Sequence, residues 1–160
     1  VKILYKWLVR STGRYRRQIR QRRQCRQAAG ADQGRLILSE SDYYRLMDVV
    51  KSQLRVGRIK KKRLMKLRRM VKAAEVRPLY RMPPEVATMN SEIALLTRNS
   101  GVIRVRLVYP EDADKRAGRL SITSQSGMCL LGRRQGDPLR FSVRVHEVVY
   151  QPEANDDFHL

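Results

Sequence analysis

Three prolines, Pro78, Pro83 and Pro84, mark the point at which the hydrophobic rhythm of this chain changes. Before them apolar residues recur at intervals of three and four; after them they recur at intervals of two. Proline donates no backbone hydrogen bond and disfavours helix in the residue before it, so no helix of the first half can run on into the second. The chain is therefore α+β, with a helical part followed by a β-rich part.

Order in the helical part is expected to begin near Arg35. Leu36-Ile37-Leu38 reads as a short strand, and Ser39 with Asp42 three positions on has the spacing of a capping box. Tyr43, Met47, Val50 and Leu54 then fall on one helix face, and Leu64, Leu67, Val71 and Ala74 on a second. Val56-Gly57-Arg58 separates the two stretches. Residues 36–82 are thus predicted to form an antiparallel helical hairpin, a short coiled coil, with a reach of about 25 Å at 1.5 Å per residue.

From residue 83 to 155 the pattern is that of strands. Ile93-Ala94-Leu95-Leu96 and Val102 to Tyr109 flank the turn signal Asn99-Ser100-Gly101. A strand at Arg119 to Thr123, a short helix at about Ser126 to Leu131 and a last strand at Phe141 to Tyr150 complete an antiparallel sheet domain with one helix. Residues 156–160 read as a tail.

Charge is distributed unevenly over this plan. Residues 1–38 carry eleven basic residues and one acidic, residues 39–82 fourteen and four, and residues 83–160 ten of each, so the whole net charge of +20 lies in the first 82 positions. Such an excess repels itself unless an anionic partner offsets it, which argues against a partnerless enzyme and for nucleic acid, or something bound to it, through residues 1–82. Residues 1–35, rich in arginine and glutamine, cannot build a core. They read as a disordered basic extension, as an arm that grips phosphates, or as an upstream stretch outside the folded protein. In the hairpin, Arg55, Arg58, Lys60, Lys61 and Lys62 crowd the tip around Gly57, and no acid occurs between Asp48 and Glu75. A solvated helix face normally intersperses glutamate to gain i,i+4 pairs; this one does not.

Candidates for chemistry are few. Cys25 and Cys129 show no metal or disulfide spacing, His146 alternates with valines on a strand, and Glu111, Asp112 and Asp114 miss the spacing of a calcium loop. Cys129 reads as a small buried hydrophobe, and Gly127, Gly132 and Gly136 as helix-end and turn glycines. No nucleophile, cofactor or metal is expected, no run is long enough to cross a membrane, and the protein is read as a cytoplasmic, non-enzymatic monomer.

Four segments together carry a resemblance. Val86-Ala87-Thr88-Met89-Asn90-Ser91, Val105 to Pro110, Gly127 to Gly132 with Gly136-Asp137, and Val148 to Ala154 resemble the GreA/GreB transcription elongation factor family, in particular its Rnk-like group of regulators of nucleoside diphosphate kinase. The resemblance implies an FKBP-like C-terminal domain that docks at the secondary channel of RNA polymerase. It places docking at Thr123, Ser124, Gln125 and Gly127; Gre factors commonly carry Asp-Ser-Pro where this chain has Thr123-Ser124-Gln125, and Ser124 reads equally well as a helix cap. Gre hairpins carry acidic residues at the tip that help hold a catalytic Mg²⁺. Here the tip has no carboxylate and at least five cations, so a polymerase-binding regulator without transcript cleavage is expected. Direct binding of RNA or DNA by arm and hairpin is the alternative reading, and prolyl isomerisation, suggested by fold alone, has too few aromatic residues to line a pocket.

Overall fold

The computed structural model describes residues 35–98, 101–139 and 142–157, and these belong to one compact unit. The basic extension up to residue 34, the Asn99-Ser100 turn signal, Arg140 and Phe141, and the last three residues of the tail lie outside the described residues.

β1 (Ile37–Ser39) leads directly into α1 (Glu40–Val56), and α2 (Lys61–Lys72) leads back into β2 (Glu75–Arg77). Ser39 caps α1, its Oγ accepting the Asp42 N–H at 3.2 Å. Gly57 ends the helix in the left-handed conformation, φ 71°, with its own N–H donating to the Gln53 carbonyl at 3.0 Å. A side chain there would meet open space but would strain the backbone. Gly57→Ala is accordingly expected to cost about 1 kcal/mol in chemical denaturation, with no change in far-UV dichroism.

The helical pair closes through Leu46 and Val50 of α1 and Leu64, Leu67 and Val71 of α2, all at most 1% exposed. Burying side chains of this size stabilises by about 2 kcal/mol each. The buried row of α1 is therefore Asp42, Leu46 and Val50, rotated from the predicted Tyr43, Met47, Val50 and Leu54, and Leu54 is exposed. The row was hidden because a carboxylate stands at its head.

β1 and β2 pair in parallel, Ile37 with Glu75 through Ser39 with Arg77, so the chain enters and leaves the helical pair through neighbouring strands. The two helices supply the long connection that a parallel pair needs. β2 was not anticipated, since Glu75-Val76-Arg77 offers a single apolar residue.

The second part is a four-stranded sheet in the order β5 (Arg119–Ser121), β4 (Gly101–Val108), β3 (Glu92–Thr97), β6 (Arg144–Tyr150). β3 pairs antiparallel with β4 and β6, but β4 and β5 run parallel, so the sheet is mixed where an antiparallel one was expected. β5 pairs only with the last three residues of β4, Arg106 with Arg119 through Val108 with Ser121, so the ten-residue connection from Tyr109 to Gly118 has only to step back that far, where a hairpin turn would have reversed the chain. α3 (Gln125–Leu130) follows β5. Ile93, Leu107, Ile122 and Leu130 of this part belong to the same buried cluster as Leu38, Leu46 and Leu64, so one core runs from the base of the helical pair into the sheet domain.

Candidate functional site

The connection between α1 and α2 bears the densest charge. Arg55, Arg58, Lys60, Lys61 and Lys62 are all exposed around it, and Arg63, Lys66, Arg68, Arg69 and Lys72 continue along the outer surface of α2. The two flanking acids are already engaged: Asp48 accepts from Lys51 at 3.0 Å and Glu75 from Arg77 at 2.7 Å. Among the described residues none of those ten cations has a carboxylate within 4 Å. α2 begins without a capping side chain and without an acid in its first turn, so its positive end is uncompensated as well. The end of the pair offers no oxygen ligand from a carboxylate and would repel a divalent cation.

At the opposite end α1 is fastened to the sheet domain. Asp42 is buried in its first turn; Oδ2 accepts the Met89 N–H at 3.1 Å and Oδ1 accepts the Tyr109 hydroxyl at 2.9 Å. Burial above all, and then the Glu153 carboxylate, push the Asp42 carboxyl up to about 6, against the two hydrogen bonds and the charge of Arg45. Burial, followed by the charge of Asp42, also raises the Tyr109 phenol above its ordinary value. Glu153 is held in turn by the Thr88 hydroxyl at 2.7 Å, and Gln151 Nε2 donates to the carbonyls of Pro83 and Val86 at 2.8 Å each. Gln151, near the C-terminal end of the sheet domain, thus holds the segment from Pro83 to Val86 that leads into it. Sequence reasoning missed this joint: Asp42 was assigned to a capping box, whereas its carboxylate is used 47 and 67 residues away.

The segment expected to dock follows β5 directly. Thr123 is buried and its hydroxyl shares a 2.8 Å hydrogen bond with Ser121. Ser124 caps α3, accepting the Gly127 N–H at 3.0 Å. Gln125 is the exposed member. Gly127 sits inside α3 rather than at a turn, packed so closely on the Ser121 carbonyl that a Cβ would overlap it. Ser124 and Gln125 therefore face solvent in part while Thr123 and Gly127 shape the turn beneath them.

Elsewhere the described residues hold no cluster of His, Cys, Asp and Glu able to bind a metal, and no helix among them is long and apolar enough to cross a membrane. Asp114 closes a turn by accepting from the N–H groups of Arg116 and Ala117, which hold its carboxyl below the usual range. His146 is exposed, and Cys129 is half-buried, more open than its apolar neighbours suggested.

The sheet domain with its one short helix, and the chain as a whole, have known relatives. Residues 82–151 match the family model described as "Transcription elongation factor, GreA/GreB, C-term". Curated relatives are the "Regulator of nucleoside diphosphate kinase" of Escherichia coli K12 and that of Shigella flexneri, each 38% identical over 88 residues. These matches take in 49% of this chain and 65% of each relative. Among solved structures, a "Prokaryotic transcription elongation factor GreA/GreB from Nitrosomonas europaea" is similar over 74% of this chain and 100% of that one, at 29% identity and a TM-score of 0.61. The resemblance read from Val86 to Ala154 stands.

Proposed function

We propose that this chain is an RNA-polymerase-binding transcription regulator of the Gre and Rnk type, acting in the cytoplasm, which docks through its C-terminal domain at the secondary channel and does not stimulate transcript cleavage. In this reading residues 36–82 are an antiparallel hairpin of short coiled-coil type and residues 83–155 an FKBP-like domain. Gln125 and Ser124 touch the polymerase, and Thr123 and Gly127 hold them in place. The observation that carries the proposal is the pairing of a GreA/GreB C-terminal domain with a helix end that bears five cations and no carboxylate. Stimulating cleavage would require completing the oxygen shell of a Mg²⁺, and ammonium and guanidinium groups offer that ion only repulsion. Reach points the same way: 17 residues make α1 about 25 Å long and 12 residues make α2 about 18 Å.

The test is a pull-down of purified core polymerase at low salt, with nucleoside diphosphate kinase as a second bait, alongside a cleavage assay on stalled elongation complexes. Binding of polymerase, weakened several-fold by Gln125→Ala, and unchanged cleavage are the expected results. Failure to bind polymerase, or accelerated cleavage, overturns the reading.

A further inference from the structure

The outer surface of α2 has a geometry of its own. Leu64, Leu67 and Val71 turn inward, and at 100° per residue Lys62, Lys66 and Arg69 fall about half a turn away, on the face most open to solvent. Spaced four and three residues apart, they form a straight row about 10 Å long. Arg58 in the connection and Arg55 at the end of α1 are exposed as well, and Lys61 and Arg68 lie along one side of the row. No side chain of Lys61–Lys72 is an acid, an amide or a hydroxyl, and none is aromatic from Lys51 to Lys72.

These absences decide the partner. Single-stranded nucleic acid is held by stacking bases on aromatic rings, and the row has none. Double-stranded RNA is recognised through its 2′-hydroxyls, which donate as well as accept, and the lysines and arginines of the row offer no acceptor for them. A line of point charges on a rigid rod fits a phosphate backbone read for charge alone, and duplex DNA presents one negative charge per about 1.7 Å of axis, about six along the length of the row. We propose that the outer face of α2, centred on Lys62, Lys66 and Arg69, is a sequence-independent binding surface for the phosphate backbone of duplex DNA. This surface is separate from the docking of the C-terminal domain, and its test needs no polymerase.

The experiment is fluorescence anisotropy of a labelled 25-base-pair DNA duplex with the full chain, at salt concentrations from 50 to 200 mM. Two variants carry the same change in net charge: Lys62→Glu/Lys66→Glu/Arg69→Glu on the row, and Arg98→Glu/Arg116→Glu/Arg144→Glu on exposed positions of the sheet domain. Far-UV dichroism checks that both remain folded, and Lys62→Gln/Lys66→Gln/Arg69→Gln replaces the first if it does not. The row variant is expected to lose more than tenfold in affinity and to flatten the log–log salt slope by about three, one for each phosphate contact removed. The sheet-domain variant is expected to change affinity less than threefold. Equal losses in both variants, or none in either, overturn the proposal, the second outcome assigning binding to residues 1–34. Poly-glutamate competing as well as DNA at equal charge also overturns it, in favour of an acidic protein surface, and so does tighter binding of single-stranded RNA or of duplex RNA.

Discussion

Gly127→Ala is expected to be the most damaging single-methyl change in the described structure. The new Cβ would overlap the Ser121 carbonyl oxygen and stand 2.8 Å from its carbon and 3.1 Å from the Ile122 Cα, all of them backbone atoms that no rotamer change can move aside. Relief requires α3 to lift off β5. Yet α3 buries Met128 and Leu130, and Ile122 beside it is wholly buried. Overpacking a core costs about 1–3 kcal/mol when side chains can adjust. With backbone on one side of the clash, about 3 kcal/mol or more is expected, enough to lower Tm by about 10 °C or to prevent folding outright. Thermal unfolding by near-UV dichroism, which follows the packing around Tyr109, measures it. The result also separates two meanings of the same position. If Gly127→Ala loses both stability and polymerase binding while Gln125→Ala loses only binding, the glycine supports the docking turn and the glutamine touches the partner. A Gly127→Ala protein with parental Tm would show that α3 and β5 are not packed as described.

How far the sequence discloses this architecture follows from how local each signal is. α2 was legible because Leu64, Leu67 and Val71 are consecutive members of one face with nothing polar among them. α1 was found but mis-rotated, because its buried row opens with Asp42 and an apolar count passes over a carboxylate. β3, β4 and α3 announce themselves through alternation and through the Ser124 cap; β2 and the parallel register of β5 do not, since three-residue strands are defined by their partners more than by their own pattern. The cationic surface was fully visible, as charge needs no fold to be counted. The joint was not. Tyr109 and Asp42 are ordinary residues 67 positions apart, and only the folded chain makes one the ligand of the other.

That joint sets the second large effect, which is a dependence on pH. Asp42 titrates near 3.8 in an unfolded chain and at about 6 in the folded one, so between those values the folded state holds a proton that the unfolded state has released. Stability contributed by this group is therefore greatest below pH 4 and declines as pH rises to about 6, by about 3 kcal/mol for a two-unit shift. Protonation does not dismantle the joint: Oδ2 keeps the Met89 N–H, while a protonated Oδ1 donates to the Tyr109 oxygen, whose own hydroxyl can turn away. Asparagine can reproduce that neutral arrangement at every pH. Asp42→Asn is thus expected to match the parent at pH 4, to exceed it at pH 7 by up to about 3 kcal/mol, and to lack the decline between them. Asp42→Ala strands a buried N–H and a buried hydroxyl, a loss of about 2–4 kcal/mol at pH 4 that narrows at pH 7, where the parent carries the cost of a buried charge beside Glu153. Urea unfolding of the three proteins from pH 4 to pH 7, compared as differences so that Asp114 and the other carboxylates cancel, resolves both trends. A parent and an Asp42→Asn profile that run parallel would mean that Asp42 is not held in a dry joint, and the attachment of the helical pair to the sheet domain would then rest on apolar packing alone.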